Sequence, residues 1–300
     1  MKNKLMNNQI KNLFTCPSCS FEFKIKENKL ICTDCGNEYE IDDNLIDFGV
    51  KQQRFVNNWG GTADEDEAME WITNLIEEGY LIEEDLQWLQ KNVNEDAIES
   101  SWKQALEEIR GEYYNPDNDV IVDLASGMGS VFNNGMDFKK LEGKTVILTD
   151  LSRKILEDVR DRLKEKTQNI NMIYAVCDVG NLPLKDNSVD FISSVGVFAN
   201  AFSGKDILGE LKRILKPSKR FKLFEFLNIE GSRSQKLKEK IANEDILSTV
   251  ERFKIGFEEI DLKKFEIDKL YEGVAHMEGD LLPLKDEKGV WALIRAVNCQ

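Results

Sequence analysis

From Asp119 onward, short apolar runs alternate with stretches of helical spacing. Val120–Leu124, Thr145–Leu148, Asn171–Val176 and Asp190–Val195 are apolar runs short enough for buried strands. Between them, Ile155, Leu156, Val159 and Leu163 recur at helical steps, and Ile207, Leu208, Leu211, Ile214 and Leu215 repeat the pattern before Pro217 stops it. Strand and helix in regular alternation predict an α/β fold around a largely parallel sheet.

The preceding third of the chain reads differently. Ala68, Ile72, Leu75 and Ile76 share one helical face. Leu86, Leu89, Val93, Ala97, Leu106 and Ile109 mark a longer helical stretch, broken near Asn92 to Asp96. Gly49 to Gly61 has mixed polarity and a Gly-Gly end, the pattern of a linker. Nearer the N-terminus, Phe21, Phe23, Ile25, Leu30 and Ile31 flank a hairpin, and Tyr39 and Ile41 suggest a further short strand. The expected division is therefore 1–48, 49–114 and 115–300.

Three hundred residues, 41% of them apolar, can bury one large domain and one small one. No apolar run is long enough for a membrane span, and the Lys/Asn-rich start has no secretory core, so a cytoplasmic address is expected. The net charge of -15 is unevenly placed. Gly61 to Arg110 holds 15 acidic residues against 3 basic ones, so the rest of the chain is nearly neutral. That balance disfavours a broad cationic surface for nucleic acid. A solvated surface is the ordinary reading of the acidic stretch; a helical cap beside an active site is the functional one.

Six cysteines divide into a cluster and two strays, Cys177 and Cys299, which read as small hydrophobes or inert thiols. The cluster is Cys16-Pro-Ser-Cys19, then twelve residues, then Cys32-Thr-Asp-Cys35. Two residues between thiols let a tight turn point both sulfurs at one metal, and two such knuckles complete a tetrahedral set. The pattern resembles a zinc ribbon. Disulfides do not suit a cytosolic chain, whereas iron in a four-thiolate site remains the alternative to Zn2+. Four filled positions leave none open for a substrate, so the expected role is structural or recognitional.

The predicted strands end in chemistry. The first runs into Ala125-Ser126-Gly127-Met128-Gly129-Ser130, small enough for a backbone to approach a ligand. Phe132 stands where a dinucleotide fingerprint would have its third glycine, which counts against NAD. The second strand ends at Asp150, an acid able to accept from both hydroxyls of a ribose, and the third at Cys177-Asp178.

The run of motifs Asp123-Leu-Ala-Ser-Gly-Met-Gly129, Thr149-Asp150-Leu-Ser152, Cys177-Asp178-Val-Gly-Asn-Leu-Pro-Leu184, Asp186-Asn-Ser-Val-Asp190 and Glu210-Leu-Lys-Arg-Ile-Leu-Lys-Pro217 resembles the class I S-adenosylmethionine-dependent methyltransferases of the type 11 group. The resemblance covers roughly residues 115–300. It implies a seven-stranded Rossmann-like sheet, with Arg220–Phe226, Phe257–Phe265 and Gly289–Val297 as the last three strands and the final pair antiparallel. It also implies S-adenosyl-L-methionine as co-substrate. Asp123, Ala125, Gly127 and Gly129 would lie under its methionine part, Asp150 would take the ribose, and Asp178 the adenine amine with Val179 packed nearby. Leu151 and Ser194 would complete the cofactor contacts. Ala125 departs from the glycine usual in that turn, and Ser218-Lys219 from the usual Gly-Gly.

A sulfonium donor departs neutral, so alignment and water exclusion can carry methyl transfer, and a base is needed only for an acceptor that loses a proton. No catalytic residue is assigned; His276 is the lone candidate base or else a surface loop residue, while the resemblance lets Tyr113 and Tyr114 line the cofactor mouth, the alternative being that they seal the helical segment against the sheet. Ser193 to Asn200 lacks the Asn/Asp-Pro-Pro-aromatic motif of many amino-methylating nucleic-acid enzymes. A small molecule or peptide is therefore the expected acceptor. The module order is also similar to that of bacterial enzymes methylating a guanine in 23S rRNA, so an RNA acceptor gripped by the ribbon is the alternative, and a non-catalytic docking protein a third. Met1 to Glu40 holds 6 basic and 5 acidic residues, too even for a phosphate clamp, but Lys205 to Lys240 holds 11 against 5. The oligomeric state is not legible.

Overall fold

The computed structural model describes residues 9–49, 73–88, 94–133, 135–200, 204–242, 246–262, 264–274 and 282–299. Among these residues, eleven strands form one continuous sheet. β1 (Phe23–Lys26), β2 (Lys29–Cys32), β3 (Glu38–Asp42) and β4 (Leu45–Asp47) make an antiparallel meander. They continue into β5 (Val120–Leu124), β6 (Thr145–Asp150), β7 (Asn171–Val176), β8 (Val189–Val195), β9 (Leu215–Asn228), β10 (Lys264–Gly273) and β11 (Gly289–Val297). The spatial order is β1-β2-β3-β4-β7-β6-β5-β8-β9-β11-β10. β5 to β9 run parallel, and β11 runs antiparallel between β9 and β10.

Seven of the strands belong to the α/β portion, the number expected there; the other four belong to the cysteine ribbon. β4 pairs in parallel with β7, Leu45 opposite Tyr174 and Asp47 opposite Val176, so the ribbon is an extension of the sheet.

The helices that cover the sheet or flank it include α1 (Glu83–Trp88), α2 (Glu95–Tyr113), α3 (Arg153–Leu163), α4 (Val197–Asn200), α5 (Gly204–Ile214), α6 (Arg233–Ala242) and α7 (Val250–Glu259). α2 and α3 cover one face, burying Ile98, Ala105, Ile109, Tyr113, Leu156, Val159 and Leu163. α5 and α7 cover the other with Ile207, Leu208, Leu211, Ile214, Phe253 and Phe257. Both stripes have the 3.6-residue period, so each helix lays one apolar side on the sheet. Ser152 caps α3 by accepting from the Ile155 N–H, as its position before the apolar stripe predicts.

One strand lies elsewhere than expected. Phe257–Phe265 is not the sixth strand: Phe257 belongs to α7, and the strand is Lys264–Gly273. The Phe253 and Phe257 rings lie one turn apart on α7, tilted with centroids at 5.8 Å, so the aromatic spacing is helical. The chain turns through Asp261, at φ 55°, and only then extends. β10 is a sheet edge with charged residues on its outer side, which hides it from an apolar scan.

A break is expected near Asn92 to Asp96, and within it Asn94 has φ 54° and α2 starts at Glu95. The linker from 50, the residues around Ala68 and Ile72, and Leu89 and Val93 lie outside the described residues. Leu75 and Leu81 of the acidic segment pack with Leu237 of α6 and Leu284. Asp85 is buried there, 2.7 Å from Arg233, and accepts from the backbone of Ile82 and Lys285. Part of the acid is thus an internal tie to α6.

Candidate functional site

Three strand ends meet at one edge. The turn after β5 passes close to the end of β6: Ser126 N–H donates to Thr149 O at 2.7 Å, and Gly127 N–H to the Asp150 carboxylate at 3.0 Å. Cys177 N–H donates to Asp150 O at 3.1 Å, tying β7 to the same place. Asp150 is half-buried; burial pushes its pKa up, against the backbone N–H groups of Ser152, Gly127 and Leu151. Each Asp150 oxygen takes one backbone donor, Gly127 or Ser152, and keeps lone-pair capacity for another. The Leu151 amide is the third backbone group that favours the charged carboxylate.

Backbone conformation explains the small residues. Gly129 has φ 69°, and a Cβ there would meet the Arg162 guanidinium at 3.0 Å and Val159 at 3.3 Å. Arg162 itself donates to Met128 O and to the Asn133 side chain, holding the turn from α3. Ala125, where the family usually has glycine, sits at φ 46°, a left-handed conformation costing an L-residue roughly 1–2 kcal/mol.

Asp123 lies below this turn, buried at 2% exposure. Ser193 Oγ donates to its carboxylate at 2.6 Å, and Tyr113 OH lies 2.8 Å from Ser193 Oγ. Burial raises the Asp123 pKa to about 7, although hydrogen bonds from Ser193, Ser126 and Tyr113 act to lower it. Tyr113 is wholly buried and supports Asp123 from beneath. Tyr114 instead faces the 135–137 loop, its OH accepting from Asp137 N–H at 2.8 Å. His276 lies outside the described residues.

Beyond β7, Asp178 accepts from Gly180 N–H at 2.8 Å and is half-exposed, while Val179 is buried beside it. The strand ends thus gather the Gly127 and Gly129 turn, Asp150 and Asp178 along neighbouring strands. Ser194 is different: it is fully buried and its hydroxyl donates back to Leu124 O at 2.8 Å, so it locks β8 to β5. Asp190 lies at the opposite, amino-terminal edge, accepting from Val120 N–H at 2.9 Å and Lys216 Nζ at 2.8 Å.

Several participants have roles that motif reading does not show. Arg213 of α5 donates to Leu182 O at 2.9 Å, Leu184 O at 2.6 Å and Glu210 at 2.6 Å, while Glu210 accepts from Leu182 N–H. The Glu-x-x-Arg spacing places both on one helix face, where they clamp the loop after Asp178. Glu225 of β9 is fully buried and accepts from Phe198 N–H at 3.1 Å, at the start of α4. Burial lowers the Lys238 pKa to about 8, and the Glu225 charge opposes that fall.

At the ribbon, Cys16 Sγ lies 3.7 Å from Cys35 Sγ, Cys19 Sγ 3.4 Å from Cys32 Sγ, and all four sulfurs lie within 4.8 Å of one another. Zinc–sulfur bonds of about 2.3 Å at tetrahedral angles put sulfurs about 3.8 Å apart, so the donor set fits such an ion. Burial pushes the Cys32 thiol up, but N–H groups of Asp34 and Cys35, together with the Cys19 and Cys35 thiols, hold it at about 6, while Cys19, Cys32 and Cys16 push the Cys35 thiol up, so the sulfurs share their protons unequally.

Comparison with known proteins gives a consistent picture. The family model described as "Methyltransferase domain" matches residues 122–222. A ubiquinone/menaquinone biosynthesis C-methyltransferase of Acidiphilium cryptum is 32% identical over 121 residues, 40% of this chain and 47% of that protein. Its counterpart in Ectopseudomonas mendocina is 30% identical over 140 residues, 46% and 52% respectively. The chain thus spans about half the length of these curated relatives. Among solved structures, the geranyl diphosphate C-methyltransferase of Streptomyces coelicolor, with its diphosphate substrate and S-adenosyl-L-homocysteine, superposes with TM-score 0.51 at 15% identity, covering 65% of this chain and 77% of that one. Phosphoethanolamine N-methyltransferase 2 of Haemonchus contortus gives 0.50 at 18%, covering 66% and 53%. These last two likenesses concern the fold. Motif order, strand order and family match agree: the chain contains a class I S-adenosylmethionine-dependent methyltransferase domain.

Proposed function

We propose that the protein transfers a methyl group from S-adenosyl-L-methionine to a small-molecule acceptor. The observation that carries the reading is the convergence at one sheet edge of the Gly127 and Gly129 turn, Asp150 and Asp178. S-adenosyl-L-methionine supplies an electrophilic methyl group on a sulfonium whose leaving thioether is neutral. The chain's part is to hold that donor. Asp150, with its remaining lone pairs, accepts from ribose hydroxyls; Asp178 accepts from the adenine amine beside Val179; the left-handed turn from Ala125 to Gly129 lets the backbone pass close to the methionine end.

The acceptor end lies one step further along the sheet, where β8 and β9 finish. Among the described residues Glu225 lies there, and its charge acts on Lys238 of α6. A Lys238 amine poised near 8 suits an acceptor that gives up a proton as its bond to methyl forms. The curated relatives are carbon methyltransferases by name, and carbon acceptors make that demand.

The basic stretch that favoured RNA is largely engaged within the protein. Lys205 pairs with Glu259, Arg213 with Glu210 and Asp186, Lys216 with Asp190, Lys222 with Glu112, Arg233 with Asp85 and Lys240 with Glu78. This supports the small-molecule reading over the RNA one. Among the described residues no helix is long and apolar enough to cross a membrane. The four thiolates are assigned to Zn2+, held by Cys16, Cys19, Cys32 and Cys35, and elemental analysis of purified protein tests that assignment against iron.

Asp150→Ala is expected to weaken S-adenosyl-L-homocysteine binding at least tenfold in calorimetry while the melting temperature stays near wild type. Unchanged affinity would overturn the ribose assignment. Labelled S-adenosyl-L-methionine with fractionated cell extract then identifies the acceptor, label in RNA being the outcome against the small-molecule reading.

A further inference from the structure

The loop that follows Asp178 is gripped by the cysteine ribbon. Thr15 N–H donates to Pro183 O at 3.1 Å, Lys185 N–H to Leu13 O at 2.8 Å, and Phe14 bridges to Leu184. One contact differs in kind. The Asn181 side-chain amide donates at 3.1 Å to the carbonyl of Pro17, which lies inside the first metal knuckle between Cys16 and Cys19. At its other end, Asn181 closes the turn that shapes Asp178: its N–H donates to Asp178 O at 3.1 Å, and the Asp178 carboxylate accepts from Gly180 N–H at 2.8 Å. A single side chain therefore joins the backbone of the thiolate knuckle to the turn holding the carboxylate assigned to adenine.

We propose that Asn181 is a positioning residue that couples metal occupancy of the ribbon to cofactor binding. The inference rests on the function proposed above. A metal bound by Cys16 and Cys19 fixes both ends of the Pro17–Ser18 turn, and hence the direction of the Pro17 carbonyl. With no ion to draw the two sulfurs together, that carbonyl is free to turn away and Asn181 loses its acceptor. A link of this sort must act in both directions: whatever factor metal adds to cofactor affinity, cofactor adds to metal affinity. One hydrogen bond of ordinary net strength corresponds to about a two- to tenfold effect.

The test titrates S-adenosyl-L-homocysteine into the full chain, zinc-loaded and chelator-stripped, in wild type, Asn181→Ala and Asn181→Asp, the last nearly isosteric but without the donor. Asn181 is exposed, so these variants are expected to keep wild-type melting temperature and zinc stoichiometry. In wild type, stripping should raise the dissociation constant about two- to tenfold. In zinc-loaded Asn181→Ala and Asn181→Asp it should already be raised by a similar factor and change little on stripping. In wild type alone, S-adenosyl-L-homocysteine should raise zinc affinity by the same factor, a readout that a purely structural role for Asn181 would not move. Equal wild-type affinity with and without zinc, in a protein whose binding Asp150→Ala weakens at least tenfold, overturns the coupling and leaves the cofactor site standing. An equal loss on stripping in the variants assigns the coupling to other contacts and also overturns the role of Asn181. Zinc-loaded wild type that binds no S-adenosyl-L-homocysteine overturns both proposals together.

Discussion

At the residue scale, the acids were legible and their supports were not. Asp123, Asp150 and Asp178 stand at the ends of apolar runs, so their place at the sheet edge follows from the pattern alone. Nothing in the sequence distinguishes Ser193 as a donor to Asp123, because a serine inside an apolar run reads equally as a packed strand residue. The same holds for Tyr113, which motif order places near a cofactor mouth and packing places beneath the sheet surface. The relay has a measurable sign. A buried aspartate raised to about 7 binds its proton more tightly in the folded chain than in the unfolded one. Its contribution to stability is therefore greatest below about pH 4 and falls as pH rises towards 7, after which it is level. Ser193→Ala should raise the Asp123 pKa further. It should cost roughly 1–3 kcal/mol at pH 8, and less at pH 6 where the acid carries its own proton, as followed by urea denaturation at the two pH values.

At the element scale, the parallel strands and their two helical stripes followed from periodicity, whereas the sheet edge did not. β10 offers charged residues on alternate positions, and only its pairing with β11 makes it a strand. The loop after β7 is the other element whose order lies outside its own sequence. Arg213 and Glu210 hold it from α5, and Thr15, Pro17 and Leu13 hold it from the ribbon. Arg213→Ala removes five side-chain hydrogen bonds from a half-buried site, including both to loop carbonyls. It is expected to cost about 2 kcal/mol or more in denaturant unfolding and to weaken S-adenosyl-L-homocysteine binding several-fold in calorimetry. A stability loss with unchanged binding would separate the clamp from the site.

At the scale of the whole molecule, spacing of cysteines announces a ribbon but says nothing of where it docks. The sequence reading makes it a module at 1–48, and its last strand pairs with β7 over three residues. Arg153 of α3 reinforces that seam through Asp42 and Asp47. Phe14, Phe23, Tyr39 and Phe48 stack into one aromatic cluster continuous with the main core. Removing residues 1–48 would bare the β7 edge together with apolar surface from this core, so the truncated chain is expected to aggregate in size-exclusion chromatography with light scattering. A soluble, monomeric truncation of wild-type melting temperature would instead make the ribbon an independent unit.

The pairing of Leu45 with Tyr174 also sets an order of events during synthesis. The meander is translated well over a hundred residues before the neighbour that completes its last strand. Until then β4 displays an open row of amides and carbonyls, and closing so long a loop is slow compared with forming the local hairpins. The nascent chain thus carries a waiting seam, and a chaperone that shields exposed strands would find its natural client interval between the appearance of Asp47 and that of Val176.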